Sequence, residues 1–300
     1  MRGVLLAASL VLAACGDAQV GGVRVDPALA ALLPGDTVML AGVRMDTLRT
    51  TPLYQKLVAG QRLADLDDFA ARTRFDPRKD VREFLVASNG SDSLVLARGS
   101  IRPAPPQDLK PFAYKGATLY TQGEAGFAIL DSTTAAAGPV AALRKAIDQK
   151  QSGQRGGTAL LARAAQLPAT SQIWAVLEGW GKVPSDLLPS EGNLANFRRI
   201  FQSLESTTLH ADLRKGVQGR IDGQCRTEQD AKTLSDAVRG LVGFGRLSVP
   251  EKQPELLRFW DGIQVEQQQR SIRVNVEIAA DLLDQFLKMT ESPSPRRPRK

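Results

Sequence analysis

The chain has 300 residues, of which 43% are hydrophobic and 24% charged, and its formal net charge is +7 at pH 7. This composition excludes a wholly disordered chain and is sufficient for one large or two medium domains. The charge does not indicate a nucleic-acid-binding protein, because four cations lie together in the tail and the body of the chain is nearly neutral. These cations are Arg296, Arg297, Arg299 and Lys300.

The first 14 residues have the layout of a secretory signal peptide. Arg2 supplies a positive charge, and residues 4–14 form an apolar run that is too short to span a bilayer as a helix. The run ends at Leu12-Ala13-Ala14-Cys15, followed by Gly16. These residues resemble the lipobox of bacterial lipoproteins. An ordinary signal peptide that happens to contain a cysteine is the alternative.

The resemblance implies that Cys15 is lipidated with acyl chains such as palmitate and anchors the mature chain to the cell envelope. Because Gly16, and not an aspartate, follows the cysteine, the resemblance implies the outer membrane, with the protein facing the periplasm. The membrane is then a partner through the N-terminal lipid. Cys225 would be the one remaining thiol, so we expect no intramolecular disulfide.

We divide the chain into five segments by composition and hydrophobic pattern. They are a signal peptide (1–14), a flexible glycine-containing tether (15–28), an N-terminal α+β unit (29–168), a C-terminal α+β unit (169–291) and a disordered basic tail (292–300).

In the N-terminal unit, a strand over 38–43 precedes helices that begin at Thr51-Pro52 and run to Thr73. Asn89-Gly90 predicts a hairpin with a type I′ turn between strands over 84–88 and 94–97. A second hairpin over 117–130, a strand over 133–137 and a helix opened by Pro139 follow.

In the C-terminal unit, the pattern predicts a strand over 173–177, a helix over 194–204 and a hairpin around Lys215-Gly216. Thr227 then caps a helix whose apolar stripe includes Leu241, and a last hairpin covers 263–278. Both halves therefore have the order strand, helix, hairpin, helix. This order predicts an α+β fold with two related units of antiparallel sheet, each covered by helices on one face. Whether the two units share one sheet stays open.

Three segments are similar to a group of uncharacterised bacterial secreted lipoproteins. They are Pro34-Gly35-Asp36-Thr37, Thr51-Pro52-Leu53-Tyr54 and the stretch from Phe75 to Val81. The resemblance implies the architecture only, because the group has no known activity.

The residues of the chain do not form a familiar catalytic motif. A single histidine, His210, excludes a histidine zinc pair, and we place it on the polar face of a strand. Cys225 falls on the apolar face of its strand, where a thiol is inert. We expect a solvated acidic surface at 65–68 and turns at the glycine-rich segments 153–157 and 243–245. We therefore predict no catalytic residue, no metal and no cofactor.

Trp180, between Gly179 and Gly181, is the candidate contact for a partner, because tryptophan is enriched at interfaces. The sequence favours a non-enzymatic protein-interaction module of the cell envelope, with an envelope protein as its partner. A periplasmic carrier of lipid or another hydrophobic ligand is the alternative. A hydrolase with an unconventional site is a further alternative.

Overall fold

A computed structural model describes residues 21–59, 63–102, 109–180, 201–249, 256–283 and 285. In these ranges twelve strands form one antiparallel sheet, in the order β11-β12-β10-β9-β8-β1-β2-β3-β7-β6-β5-β4. The strands are β1 (Met39–Arg44), β2 (Val81–Ser88), β3 (Ser93–Gly99), β4 (Lys110–Tyr114), β5 (Ala117–Gln122), β6 (Ala125–Asp131), β7 (Thr134–Pro139), β8 (Ile173–Glu178), β9 (Leu204–Asp212), β10 (Gly216–Cys225), β11 (Ile263–Gln268) and β12 (Ser271–Ala279).

Helices connect and cover these strands, which confirms the predicted α+β class. They are α1 (Pro27–Ala30), α2 (Met45–Leu48), α3 (Pro52–Tyr54) with a π-helical continuation (Gln55–Ala59), α4 (Ala64–Thr73), α5 (Pro77–Asp80), α6 (Val140–Ser152), α7 (Thr158–Ala164), α8 (Glu228–Leu247) and α9 (Leu257–Asp261). Among the residues described, no helix is both long and apolar enough to cross a membrane.

The two predicted units share this single sheet, which answers the question that the sequence leaves open. Strand β1 pairs with β2 on one side and with β8 on the other, so that Gly42 lies opposite both Leu85 and Trp174. Glycine is required at this junction, because a Cβ atom at Gly42 would lie 2.2 Å from the Trp174 ring. The boundary between 168 and 169 stays a prediction.

The longest helices of the two halves, α6 and α8, lie on opposite faces of the sheet. One face, the Leu40 face, carries the buried Leu40, Leu85 and Val176 and packs against α6 and α7. Directly opposed residues of antiparallel strands point to the same side, so in β9 and β10 this face continues with His210 and Arg220. It therefore becomes polar in the C-terminal half.

The other face, the Cys225 face, holds the core of the C-terminal half. Leu204, Cys225 and Ile272 pack there against Ala231 and Leu234 of α8. In the N-terminal half the Cys225 face is partly covered by Phe75, which packs with Phe84 and Ile129.

The packed part of the chain reaches back to Gly22, before the expected start at Leu29. Gly22 forms an isolated antiparallel bridge with Pro168, and the backbone N–H of Val23 donates to the carbonyl of Leu167 at 3.0 Å. Val23 and Leu29 are buried. Close packing explains why residue 22 is a glycine, because a Cβ atom there would lie 1.6 Å from the carbonyl oxygen of Ala165.

The β2–β3 hairpin is confirmed, but its turn differs from the predicted type I′. Ser88 lies opposite Ser93, which leaves a four-residue loop. The Asn89 side-chain oxygen accepts hydrogen bonds from the backbone N–H groups of Ser91 at 3.0 Å and Asp92 at 2.8 Å. An Asx turn therefore closes the hairpin, and Gly90 supplies a positive φ of 96°.

Two predictions in the C-terminal half are wrong. Leu204 begins β9 and does not end a helix; most of that predicted helix, residues 194–200, lies outside the described residues. Residues 243–245 belong to α8 and are not a turn. Gly245 lies against the Trp260 ring, where a Cβ atom would come within 2.4 Å, so the glycine meets a packing need inside the helix.

Strands β4 and β11 form the two edges of the sheet. Pro111 in β4 has no N–H group to offer to another strand. In β11 the carbonyl of Val265 accepts a hydrogen bond from Nη2 of Arg239, on α8, at 2.9 Å. Both edges thus carry a feature that hinders further strand pairing.

Candidate functional site

The long helix α8 is fixed at its start by a cap and by packing. The Thr227 hydroxyl oxygen accepts from the backbone N–H of Asp230 at 3.0 Å, as the predicted capping interaction requires. Ala231 and Leu234 are buried against the sheet. The first half of α8 therefore belongs to the hydrophobic core.

The second half of α8 exposes three large apolar side chains. Leu241 is 43% exposed, Phe244 71% and Leu247 87%. Their spacing of three residues makes each the neighbour of the next on the helix surface. We call these three residues the apolar ridge.

Polar side chains flank the apolar ridge, and two glycines, Gly240 and Gly243, lie near Leu241 in the sequence. Nη1 of Arg246 lies 2.9 Å from a carboxylate oxygen of Asp261, and Arg239 pairs more loosely with Asp236 at 3.8 Å. The Cβ positions of Gly240 and Gly243 have no atom within 4 Å. An apolar centre with a polar rim is the usual arrangement of a protein-binding surface.

Sequence reasoning missed this ridge for two reasons. The hydrophobic pattern places Leu241 on the apolar stripe that faces the sheet, and the glycines on either side of Phe244 indicate a turn. The spacing of Leu241, Phe244 and Leu247 was the signal that could have found the ridge.

Trp180 is half-buried, not freely exposed. Its ring stacks on Phe201 with 5.0 Å between centroids, and its indole N–H donates to the Thr207 hydroxyl at 2.7 Å. The ring packs against the core of the C-terminal half. Its predicted contact with a partner stays a prediction, and the residues that follow, 181–200, lie outside the described part of the chain.

A small apolar cavity of about 150 Å³ lies on the Cys225 face of the N-terminal half. Phe69 and Val95, each 37% exposed, lie at this cavity. Its remaining lining is Thr73, Phe75, Pro77, Phe84, Ala97, Ile101, Phe127, Ile129, Ala135, Ala136 and Ala137.

His210 lies on the polar face of its strand, as predicted, but it is half-buried. Burial lowers the pKa of its imidazole, Arg220 lowers it further, and Asp222 raises it. The charged groups nearby pair with other side chains: Nε of Arg273 lies 2.7 Å from Asp222, and Nε of Arg220 donates to Asn275 at 3.1 Å.

The other residues considered for chemistry are buried in the core or paired with neighbouring side chains. Cys225 is buried, and burial raises the pKa of its thiol, which makes it unreactive. Asp67 forms an ion pair with Arg78 at 2.7 Å. Within the ranges that the structure describes, no three metal-ligating side chains come together. Cys15, the predicted lipidation site, lies outside those ranges.

The fold is similar to that of TP0453, a lipoprotein of unknown function from Treponema. One crystal form aligns with a TM-score of 0.54 and 11% identity, over 89% of this chain and 99% of that one. Two other crystal forms align at 11% identity with TM-scores of 0.46 and 0.43, over 90% and 88% of this chain and 99% and 97% of theirs. Identity this low shows a common fold only. No protein-family model and no curated protein sequence matches the chain.

Proposed function

We propose that the chain is a lipid-anchored protein of the bacterial cell envelope that binds a partner protein without catalysing a reaction. The signal-peptide layout and Cys15 support the anchor. The fold shared with the lipoprotein TP0453 is compatible with a place in the envelope. Gly16 supports the outer membrane, with the protein facing the periplasm.

The apolar ridge carries the proposal for the folded part. Large apolar side chains that lie exposed next to one another commonly mark an interaction site, whereas single exposed apolar residues do not. Phe244 would be the central anchor, since aromatic side chains dominate the binding energy of many interfaces.

The anchor is tested by labelling cells with an alkyne analogue of palmitate. We expect the label in the wild-type protein and in Cys225→Ala, and its loss in Cys15→Ala. A Cys15→Ala chain given an ordinary cleavable signal peptide should appear in the soluble periplasmic fraction. Label retained in Cys15→Ala, or membrane association of the second protein, would overturn the anchor.

The partner site is tested by placing a photocrosslinking amino acid at Phe244 in cells. We expect a discrete protein adduct that is absent when the same group replaces Lys232, an exposed residue near the start of α8. The double variant Leu241→Gln/Leu247→Gln should abolish the adduct. Crosslinking to lipid alone, or equal protein adducts at both positions, would contradict a protein-binding ridge.

The carrier function is the second candidate, supported by the apolar cavity. A cavity of about 150 Å³ is smaller than the roughly 300 Å³ at which ligand pockets usually begin, so this candidate ranks behind partner binding. Mass spectrometry of organic extracts from the purified protein tests it. A stoichiometric lipid that Val95→Trp removes would favour the carrier, and extracts without lipid would exclude it.

A hydrolase with an unconventional site is the third function considered. Turnover that survives His210→Gln would exclude His210 as its base.

A further inference from the structure

A cavity of about 490 Å³ lies where the N-terminal chain joins the sheet. It is lined by Gly21 and Gly22 and by three arginines, Arg24, Arg44 and Arg82. We call this cavity the arginine pocket. The described chain therefore begins, at Gly21, at the rim of this pocket.

The guanidinium groups of the arginine pocket have hydrogen-bond donors to spare. Among the described residues, neither Arg24 nor Arg44 forms an ion pair. Arg44 is half-buried, lies opposite Glu83 in the pairing of β1 with β2, and donates from Nη1 to the carbonyl of Ala169 at 2.7 Å. Its other guanidinium N–H groups donate to no side chain or carbonyl of the described residues. A half-buried guanidinium beside a cavity favours an anion as its partner.

Among the described residues, Arg82 forms one ion pair, with Asp26, and shares that carboxylate with another arginine. Nη2 of Arg82 lies 2.9 Å from Oδ2 of Asp26, and Nε of Arg98 lies 3.1 Å from the same oxygen. The other carboxylate oxygen of Asp26 accepts from the backbone N–H of Ala28 at 2.9 Å. Asp26 therefore neutralises Arg82 only in part.

The remaining acids of the pocket oppose an anion weakly. Burial raises the pKa of Glu83 to about 7, so its carboxyl is largely uncharged below neutral pH. Asp46 is exposed, and its Oδ1 accepts from the backbone N–H of Thr47 at 2.8 Å. With Glu83 protonated, three arginines face two aspartates, both of which already accept backbone hydrogen bonds.

The position of the pocket identifies the source of the anion. Only the residues from Cys15 to Gly22 separate the proposed lipid from the packed chain, and fully extended they span at most about 25 Å. The pocket, at the end of this segment, therefore stays close to the lipid headgroups. This step rests on the proposed lipid anchor.

We propose that the arginine pocket binds the phosphate of an anionic phospholipid headgroup and thereby sets how the folded part lies on the membrane. Arginine binds phosphate through paired N–H donors. The anchor and the pocket would then hold the protein at two points on the same side.

Vesicle flotation of the mature chain, residues 15–300 with Cys15→Ser, tests the proposal independently of the anchor. We expect binding to vesicles of equal parts phosphatidylcholine and phosphatidylglycerol, and none to phosphatidylcholine alone. Each of Arg24→Gln and Arg44→Gln should weaken binding about fivefold, since one arginine near an anionic surface contributes about 1 kcal/mol.

Arg226→Gln and Lys232→Gln are the matched controls. They remove equal charge from the end of the strands opposite to the pocket, and should leave binding unchanged. Equal losses in controls and pocket variants, or no loss in Arg24→Gln, would overturn the proposal. If Arg44→Gln misfolds, the result for Arg24→Gln alone tests the proposal, because Arg24 is exposed and its replacement should not disturb the fold.

Calorimetric titration separates a headgroup from free phosphate. We expect short-chain phosphatidylglycerol to bind more tightly than inorganic phosphate, and Arg24→Gln to reduce the difference. Equal affinity for the two probes would show a site for free anions and overturn the headgroup proposal. Failure of the proposed anchor would instead appear in the labelling experiment, as missing palmitate on Cys15. The titrations do not depend on that result.

Discussion

Replacing Glu83 with glutamine should make the folded protein more stable above neutral pH. Glu83 of β2 lies opposite Arg44 of β1, and its carboxylate accepts from the backbone N–H of Asp26. Burial is nevertheless the main influence and raises the pKa of Glu83 from 4.5 to about 7, to which the charge of Asp26 also contributes. The folded state therefore resists ionisation of this carboxyl.

The direction in which pH changes the free energy of unfolding follows from proton binding. Between pH 4.5 and about 7 the folded state holds a proton that the unfolded state has lost, so the free energy of unfolding falls as pH rises. At about 1.4 kcal/mol per pH unit the loss has an upper limit of about 3 kcal/mol. Solvent screening of this partly exposed group reduces the expected loss to ~1–2 kcal/mol. Glutamine keeps the acceptor oxygen and carries no charge, so it avoids the loss.

Urea unfolding of both proteins at pH 5 and pH 8 measures the effect. The variant should gain ~1–2 kcal/mol relative to the wild type between these two values. His210 changes stability in the opposite direction, because its folded-state pKa is lowered, but it is present in both proteins and cancels in the difference. Glu124→Gln, at an exposed site, is the control and should show no such gain. A difference between wild type and Glu83→Gln that is the same at both pH values would refute the reasoning.

Three further predictions concern packing, reactivity and capping. Gly42→Ala should lower the free energy of unfolding by about 1–3 kcal/mol, because the new methyl group meets the Trp174 ring. Gly35→Ala is the control, because the space around Gly35 is open, and it should leave the stability unchanged. Equal melting temperatures for the two variants would contradict the packing argument. The Cys225 thiol should resist a thiol reagent in the native protein and react in urea, whereas rapid native labelling would show that it is accessible. Thr227→Ala should cost about 1 kcal/mol in thermal unfolding, whereas Thr227→Ser should preserve most of the stability; equal losses would show that the hydroxyl cap is not responsible.

Local patterns predicted most of the strands and the class of the fold, because alternation and turn residues act over a few positions. The hairpin around Asn89, the helix after Pro139 and the cap at Thr227 are examples. The pairing of β1 with β8 could not be predicted in this way. It depends on contacts between Gly42 and Trp174, which are far apart in the chain.

The candidate sites were harder to predict, because exposure depends on where a helix leaves the sheet. The pattern of α8 is amphipathic throughout, yet its first half is packed and its second half carries the ridge. Trp180 shows the reverse case. Its glycine neighbours suggested an exposed ring, but stacking with Phe201 and the hydrogen bond to Thr207 hold it partly inside.

The two edge strands have a further consequence under the proposed lipid anchor. Attachment to a membrane concentrates copies in two dimensions and brings their sheets together more often than free diffusion does. An open sheet of twelve strands could then extend from one copy to the next and grow into a filament. Pro111 at one edge and the Arg239 hydrogen bond at the other work against such growth. These two features oppose edge-to-edge strand pairing between copies that the proposed anchor would bring together.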